Sequence, residues 1–171
     1  MWRHDGKNRL RIISALFSVF IIAVGPGVAF AQTPGAAHPA NLWKGLIAED
    51  SAGDHKTYLH IAWCVRNKLK KEGRTGLVAL KRKNLNAFIK REISWAKKMS
   101  GGQKDLKAKA NKAIHDVFVR NLKDVTNGAT HYEHTGMYKT PWWAKKMVIT
   151  KVLYPGTKKE ITFYREKRRM G

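Results

Sequence analysis

At Asn127-Gly128 the hydrophobic pattern of this 171-residue chain changes period, and no other feature limits its fold as strongly. Before that point apolar residues recur at the spacing that lines one face of a helix. After it come short runs bounded by Gly, Pro and Asn, the signature of strands joined by turns. A chain that is helical first and stranded last packs its sheet against a helical body. The pattern therefore predicts an α+β fold, mostly helical, with a small C-terminal antiparallel sheet.

Spacing and stop signals place the individual elements. A first helix is predicted over 42–51, ending near Gly53. A longer one over 55–71 puts Leu59, Ala62, Val65 and Leu69 on one face, with Asp54 as N-cap and Glu72-Gly73 as its stop. Cys64 within it reads as a small buried apolar side chain. Residues 73–84 read as a basic loop, and 85–99 as a helix around Phe88, Ile89 and Trp95 that ends at Ser100-Gly101-Gly102. Residues 103–122 form the last long helix, with Leu106, Ala110, Ala113, Val117 and Leu122 inward. A short strand is expected over 129–132. A hairpin follows over 147–153 and 161–164, joined through Tyr154-Pro155-Gly156-Thr157. The basic runs at 68–71, 81–83 and 167–169 read as solvated surface.

The first residues read as an address. Arg3, Lys7, Arg9 and Arg11 precede a charge-free apolar run at 12–24, short for a bilayer span and of signal-peptide core length. Pro26 breaks any helix there, and Ala29-Phe30-Ala31 has the small-x-small pattern that signal peptidase reads. A signal peptide is expected over 1–31, with an uncleaved anchor as the alternative. A Pro/Gly/Ala-rich linker over 32–40, a folded domain over 41–166 and a basic tail over 167–171 follow. Such a protein is expected in the periplasm or outside the cell.

The chain carries 34 Lys plus Arg against 12 Asp plus Glu, a formal net charge of +22, which implies a polyanionic partner or surface. With export expected, that partner is peptidoglycan and the anionic polymers of the envelope; specific nucleic-acid binding has charge as its only warrant. A monomer is expected. The single Cys64 excludes an intramolecular disulfide and a multi-cysteine zinc or iron–sulfur centre.

Acids are scarce, so each can be weighed. Glu49 lies in Leu46-Ile47-Ala48-Glu49-Asp50-Ser51, near the end of an otherwise apolar short helix. A carboxyl in a partly apolar cleft holds its proton more readily, as a general acid for glycosidic cleavage requires. A solvated helix-end acid is the alternative. Glu133 stands in Thr130-His131-Tyr132-Glu133-His134, and Tyr138 and Trp142-Trp143 after it offer faces for sugar stacking or for a core. His131 and His134 are spaced to present two imidazoles to a metal, with His55 and His60 also available. No His-Glu-x-x-His motif or zinc-like Cys/His spacing occurs, so neither a metal nor another cofactor is expected. A Gly-x-Ser-x-Gly elbow and phosphate-cradling glycine loops are absent.

Taken in order, several segments match one family. Leu46-Ile47-Ala48-Glu49 is followed by a helix ending Arg66-Asn67-Lys68, then by Glu92-Ile93-Ser94-Trp95. Asp124-Val125-Thr126-Asn127-Gly128-Ala129-Thr130-His131-Tyr132 comes next, then Pro141-Trp142-Trp143-Ala144 and Ile161-Thr162-Phe163-Tyr164-Arg165. The series resembles the spore-cortex-lytic (SleB-like) cell wall hydrolases. Where that family has Gly, Arg and a second Glu in its opening motif, this chain has Ala48, Ser51 and Gly53, and Glu133 interrupts the usual continuation after His-Tyr.

The resemblance implies a lysozyme-like domain that cleaves peptidoglycan in the manner of a lytic transglycosylase, with its catalytic carboxyl at Glu49. No carboxylate corresponds to the family's second Glu; Asp54 or Glu133 is the possible second acid. Trp95, Thr130, His131, Tyr132 and Trp142 are the candidates for lining the glycan cleft. Two other classes compete: a zinc-dependent amidase using His131 and His134, and a non-catalytic wall- or polyanion-binding module.

Overall fold

Leu42, Leu46 and Ile47 recur at helical spacing and form the buried side of α1 (Leu42–Glu49). The computed structural model describes residues 38–167, which lie within a single unit of the chain. The expected signal peptide, residues 32–37 of the expected linker and the tail after Lys167 lie outside the described residues.

α2 (His55–Glu72) is the central element. Asp54 caps it, Oδ1 accepting from the Lys56 N–H at 3.1 Å, and Gly73 closes it in the left-handed region. Its burial is broader than one face: Tyr58, Ile61, Ala62, Cys64 and Val65 are enclosed, together with His60 and Arg66. Burial pushes the Cys64 thiol up, so it is an inert packing group. The expected loop at 73–84 contains a 3-10 turn, Val78–Lys81, following the buried Leu77. In α3 (Leu85–Met99) only Ile89 and Ala96 are fully buried.

α4 (Leu106–Ile114) places Leu106, Ala110 and Ala113 inward as their spacing predicts. The expected helix to residue 122 ends sooner. A π-helical turn, His115–Val119, follows, and Leu122 is 37% exposed rather than inward. The physical reason is Arg66: its Nη1 donates to the Val117 carbonyl, which the widened turn leaves for it. Asp116 stabilises the same turn, accepting from Lys112 at 2.7 Å and Arg120 at 3.1 Å.

The sheet is antiparallel in the order β1 (His131–Glu133), β3 (Ile161–Glu166), β2 (Met147–Leu153). β3 is the middle strand, which explains its run of four buried residues from Ile161 to Tyr164. β1 begins two residues later than expected, pairing His131 with Tyr164 and Glu133 with Thr162. Trp142–Lys146, not foreseen as an element, forms a 3-10 turn leading into β2. The hairpin connection covers all of 154–160, longer than the expected four-residue turn. Glu160 holds it, accepting from the Gly156 N–H and the Thr135 hydroxyl, each at 2.7 Å. The fold is thus α+β, helices first and sheet last.

Candidate functional site

Where α1 ends, the chain turns sharply into α2. Asp50 Oδ1 accepts from the Ala52 N–H at 3.0 Å, and the enclosed Tyr58 donates its hydroxyl proton to the Asp50 carbonyl at 2.9 Å. This turn presents Glu49, half-buried, to a cleft of two lobes. One lobe, about 480 Å³, runs between Asp50, Ser51, Asp54 and the 154–160 connection with Lys158 and Lys159. The other, about 300 Å³, runs between α2, the 75–78 segment and β1 with Trp143. Glu49 and His134 border both lobes. Volumes of this size suit small ligands or short stretches of a polymer.

Thr130, His131, Tyr132 and Glu133 line the second lobe, as a strand end feeding into a cleft should. The Tyr132 phenol sits beside the Glu49 carboxyl. Burial first, then the Glu49 charge, raises it well above the usual phenol value, so it remains a proton donor. Lys68 corrects the reading of its basic run. It is 8% exposed, and its ammonium donates to His131 Nε2 at 2.8 Å and pairs with Glu72 at 3.3 Å. That bond places the His131 ring proton on Nδ1, which donates to the Thr130 hydroxyl at 3.0 Å. The lysine stem passes so close to Gly76 that a Cβ there would lie 2.5 Å from Lys68 Cδ.

The loop before β1 is tied down by a polar knot. Asn67 Nδ2, on α2, donates to Asp124 Oδ2 at 2.8 Å and to the Ala129 carbonyl at 3.1 Å. Asp124 Oδ1 accepts from the Thr126 N–H and hydroxyl, both at 2.7 Å, and Oδ2 from the Gly128 N–H at 2.9 Å. Burial alone would raise the Asp124 carboxyl; the donors from Thr126, Asn67 and Gly128 hold it below the usual carboxylate range. Asn67 and Asp124 are thus the fastening that carries Thr130 to Tyr132 into the cleft.

Of the residues singled out in the sequence, Glu49, Thr130, His131, Tyr132, Asp54 and Glu133 come together at the cleft. Trp95 and Trp142 do not line it. Trp95, 53% exposed, stands about 100° round α3 from the buried Ala96, on its flank. Trp142 is 74% exposed, while its neighbour Trp143 faces the second lobe, with its ring 5.4 Å from both His131 and Tyr164. The 3-10 turn at Trp142–Lys146 makes this choice between adjacent indoles. Asp54 serves chiefly as a cap: Oδ1 takes the Lys56 N–H and Oδ2 the Tyr154 hydroxyl. Asp50 was not foreseen; burial raises its carboxyl despite opposing bonds and the nearby His134. Its signal was adjacency to Glu49 at a helix end.

Gly53 leaves no room for a side chain. Its φ is +65°, and a Cβ there would lie 2.1 Å from Leu106 Cδ2. We expect Gly53→Glu to destabilise the protein by about 1–3 kcal/mol, seen as a lower denaturation midpoint. A variant as stable as the parent would show that the turn can relax.

The histidines give stability a pH dependence. Burial first lowers both His60 and His131, and the Lys68 charge lowers His131 further. The unfolded chain therefore takes up these protons before the folded one does. Stability is full above the unfolded value of about 6.5 and falls as pH drops from there through the lowered folded values. Urea midpoints measured from pH 8 to 5 should fall, and His131→Gln should flatten part of the slope. Midpoints that hold constant over that range would contradict this assignment.

Among the described residues no three of His, Cys, Asp and Glu gather as a metal-binding group. His131 Nε2, one of the imidazole nitrogens an amidase zinc would need, already accepts from Lys68. No protein-family model, no curated protein and no solved structure matches this chain.

Proposed function

We propose that this chain is an exported peptidoglycan-cleaving enzyme, a lysozyme-like lytic transglycosylase in keeping with the cell wall hydrolases its motifs resemble, with Glu49 as its catalytic acid. The observation that supports this reading best is the place of Glu49, at the saddle between two cleft lobes, beside the phenol of Tyr132. A polymer lying along both lobes passes one of its linkages across that carboxyl. Neither lobe alone would hold more than a short stretch of strand.

Protonated Glu49 gives its proton to the oxygen joining N-acetylmuramic acid to N-acetylglucosamine. The C1–O bond breaks with its electron pair on that oxygen, leaving an oxocarbenium-like sugar. The 6-hydroxyl of the same sugar attacks C1 and its proton passes to the Glu49 carboxylate, which restores the acid and yields a 1,6-anhydro end. An internal nucleophile needs no second carboxylate to position a water. Trp143, the Thr130 hydroxyl and Tyr132 supply a stacking face and hydrogen bonds along the second lobe. The positive charge of the chain concentrates it on the anionic wall.

Incubation with purified sacculi, followed by mass spectrometry of the soluble fragments, tests this. Anhydro-ended muropeptides are expected. Reducing ends would replace transglycosylation with hydrolysis. Freed stem peptides would point to an amidase, and sacculi that bind protein without releasing fragments would leave a wall-binding module.

A further inference from the structure

Among the described residues only Glu49 and His134 border both lobes, yet only Glu49 has a role so far. His134 follows β1 directly. Its carbonyl accepts from the N–H groups of Met137 at 3.1 Å and Tyr138 at 3.0 Å, and its own N–H donates to Glu133 Oε1 at 3.2 Å. The Tyr132 ring stands edge-on to the imidazole at 6.2 Å. The backbone is therefore held, while the imidazole Nε2 is shielded from solvent and no hydrogen bond pins the ring through it. Leaving such an atom unpaired costs about 1–3 kcal/mol, a cost that a bound molecule can remove.

Besides Glu49 three carboxylates border the cleft, and each is tied into the turns around it: Asp50, on the first lobe only, accepts the Ala52 N–H on its Oδ1. Asp54 has both oxygens engaged by Lys56 and Tyr154, and Glu133 is turned back onto the His134 N–H. What remains at the saddle beside Glu49 is an imidazole nitrogen in want of a partner. A sugar hydroxyl suits it in either tautomer, because a hydroxyl both donates and accepts.

We infer that His134 is a positioning residue of this cleft, its Nε2 hydrogen-bonding a hydroxyl of the sugar seated at the saddle shared with Glu49. The inference rests on the glycan-cleaving reading and deepens it. In that reaction the hydroxyl held is the one that attacks C1. No bond forms or breaks at the imidazole, and the hydroxyl proton still goes to Glu49. Seating the hydroxyl takes a small rotation of the ring towards the cleft, an adjustment common at binding sites. Because the contact fixes a nucleophile and adds little to binding, it acts on kcat more than on KM.

Two measurements test it on the intact protein. In the first, the imidazole nitrogen resonances of His134 are followed while the tetrasaccharide of N-acetylglucosamine is added; they should shift, with those of His115, outside both lobes, unmoved. In the second, kcat and KM on solubilised glycan strands are compared for wild type, His134→Ala and His134→Gln. Ala should lower kcat by about ten- to a hundredfold with KM little changed, and Gln, which also donates and accepts, should recover most of the loss. Resonances that stay put overturn the contact, even where the Ala variant is slow. A shift with unchanged kcat in the Ala variant overturns the positioning role. A wild type that shifts the His134 resonances but releases no fragments sinks the cleavage reading and leaves the sugar contact standing.

Discussion

Glu49→Gln should lower the release of glycan fragments from sacculi by about a hundred- to ten-thousandfold, the usual contribution of a general acid. The change keeps the shape of the side chain and its ability to accept from the Ala79 N–H, a long bond of 3.4 Å. Glu49 is half-buried at the last position of α1, and the buried Leu46 and Ile47 of that helix are untouched. The denaturation midpoint should therefore stay close to that of the wild type. Binding to sacculi should also persist, since the cleft walls and the surface charge are unchanged. Activity at the wild-type rate would remove Glu49 from the chemistry altogether, and a variant that no longer folds would assign it to structure.

Asp124→Ala is expected to be the most damaging substitution outside the apolar core. One carboxylate accepts from the Thr126 N–H, the Thr126 hydroxyl, the Asn67 amide and the Gly128 N–H. Thr126 is fully enclosed, so truncation takes the acceptor from its N–H and hydroxyl where water does not reach them, and loosens Asn67 and Gly128 besides. A loss of about 2–4 kcal/mol in unfolding free energy follows. Activity should fall with it, because this knot fixes the loop that delivers Thr130, His131 and Tyr132 to the second lobe. Asp124→Asn keeps some acceptors and should lie between the two. If Asp124→Ala unfolds at the wild-type midpoint, the loop is held instead by the sheet pairing of Thr130 with Tyr164.

Much of the fold could be read from local pattern. The α1, α2 and α3 spans, the Asp54 cap and the limits of β2 follow from helical spacing, capping chemistry and turn residues. Each of these depends on neighbours within a few positions, and that is where sequence speaks most directly. The position of Glu49 at the end of an apolar helix was legible for the same reason; that it faces the cleft was not. The early end of α4 was not: a 51-residue separation lies between Arg66 and the Val117 carbonyl it claims. Nor was the burial of Lys68, which reads as one more basic residue until His131, 63 positions away, is brought beside it.

Local spacing, then, determined the order of helices and strands, the ends of most of them and the place of one acid. Tertiary structure decided which of two adjacent tryptophans faces the cleft, that Trp95 stands clear of it, that Asp54 is tied up as a cap, and that His134 joins Glu49 where the lobes meet. The division has one physical cause. Secondary structure is set by interactions along the chain, whereas the direction of a side chain into a shared cavity is set by what packs against it from distant segments.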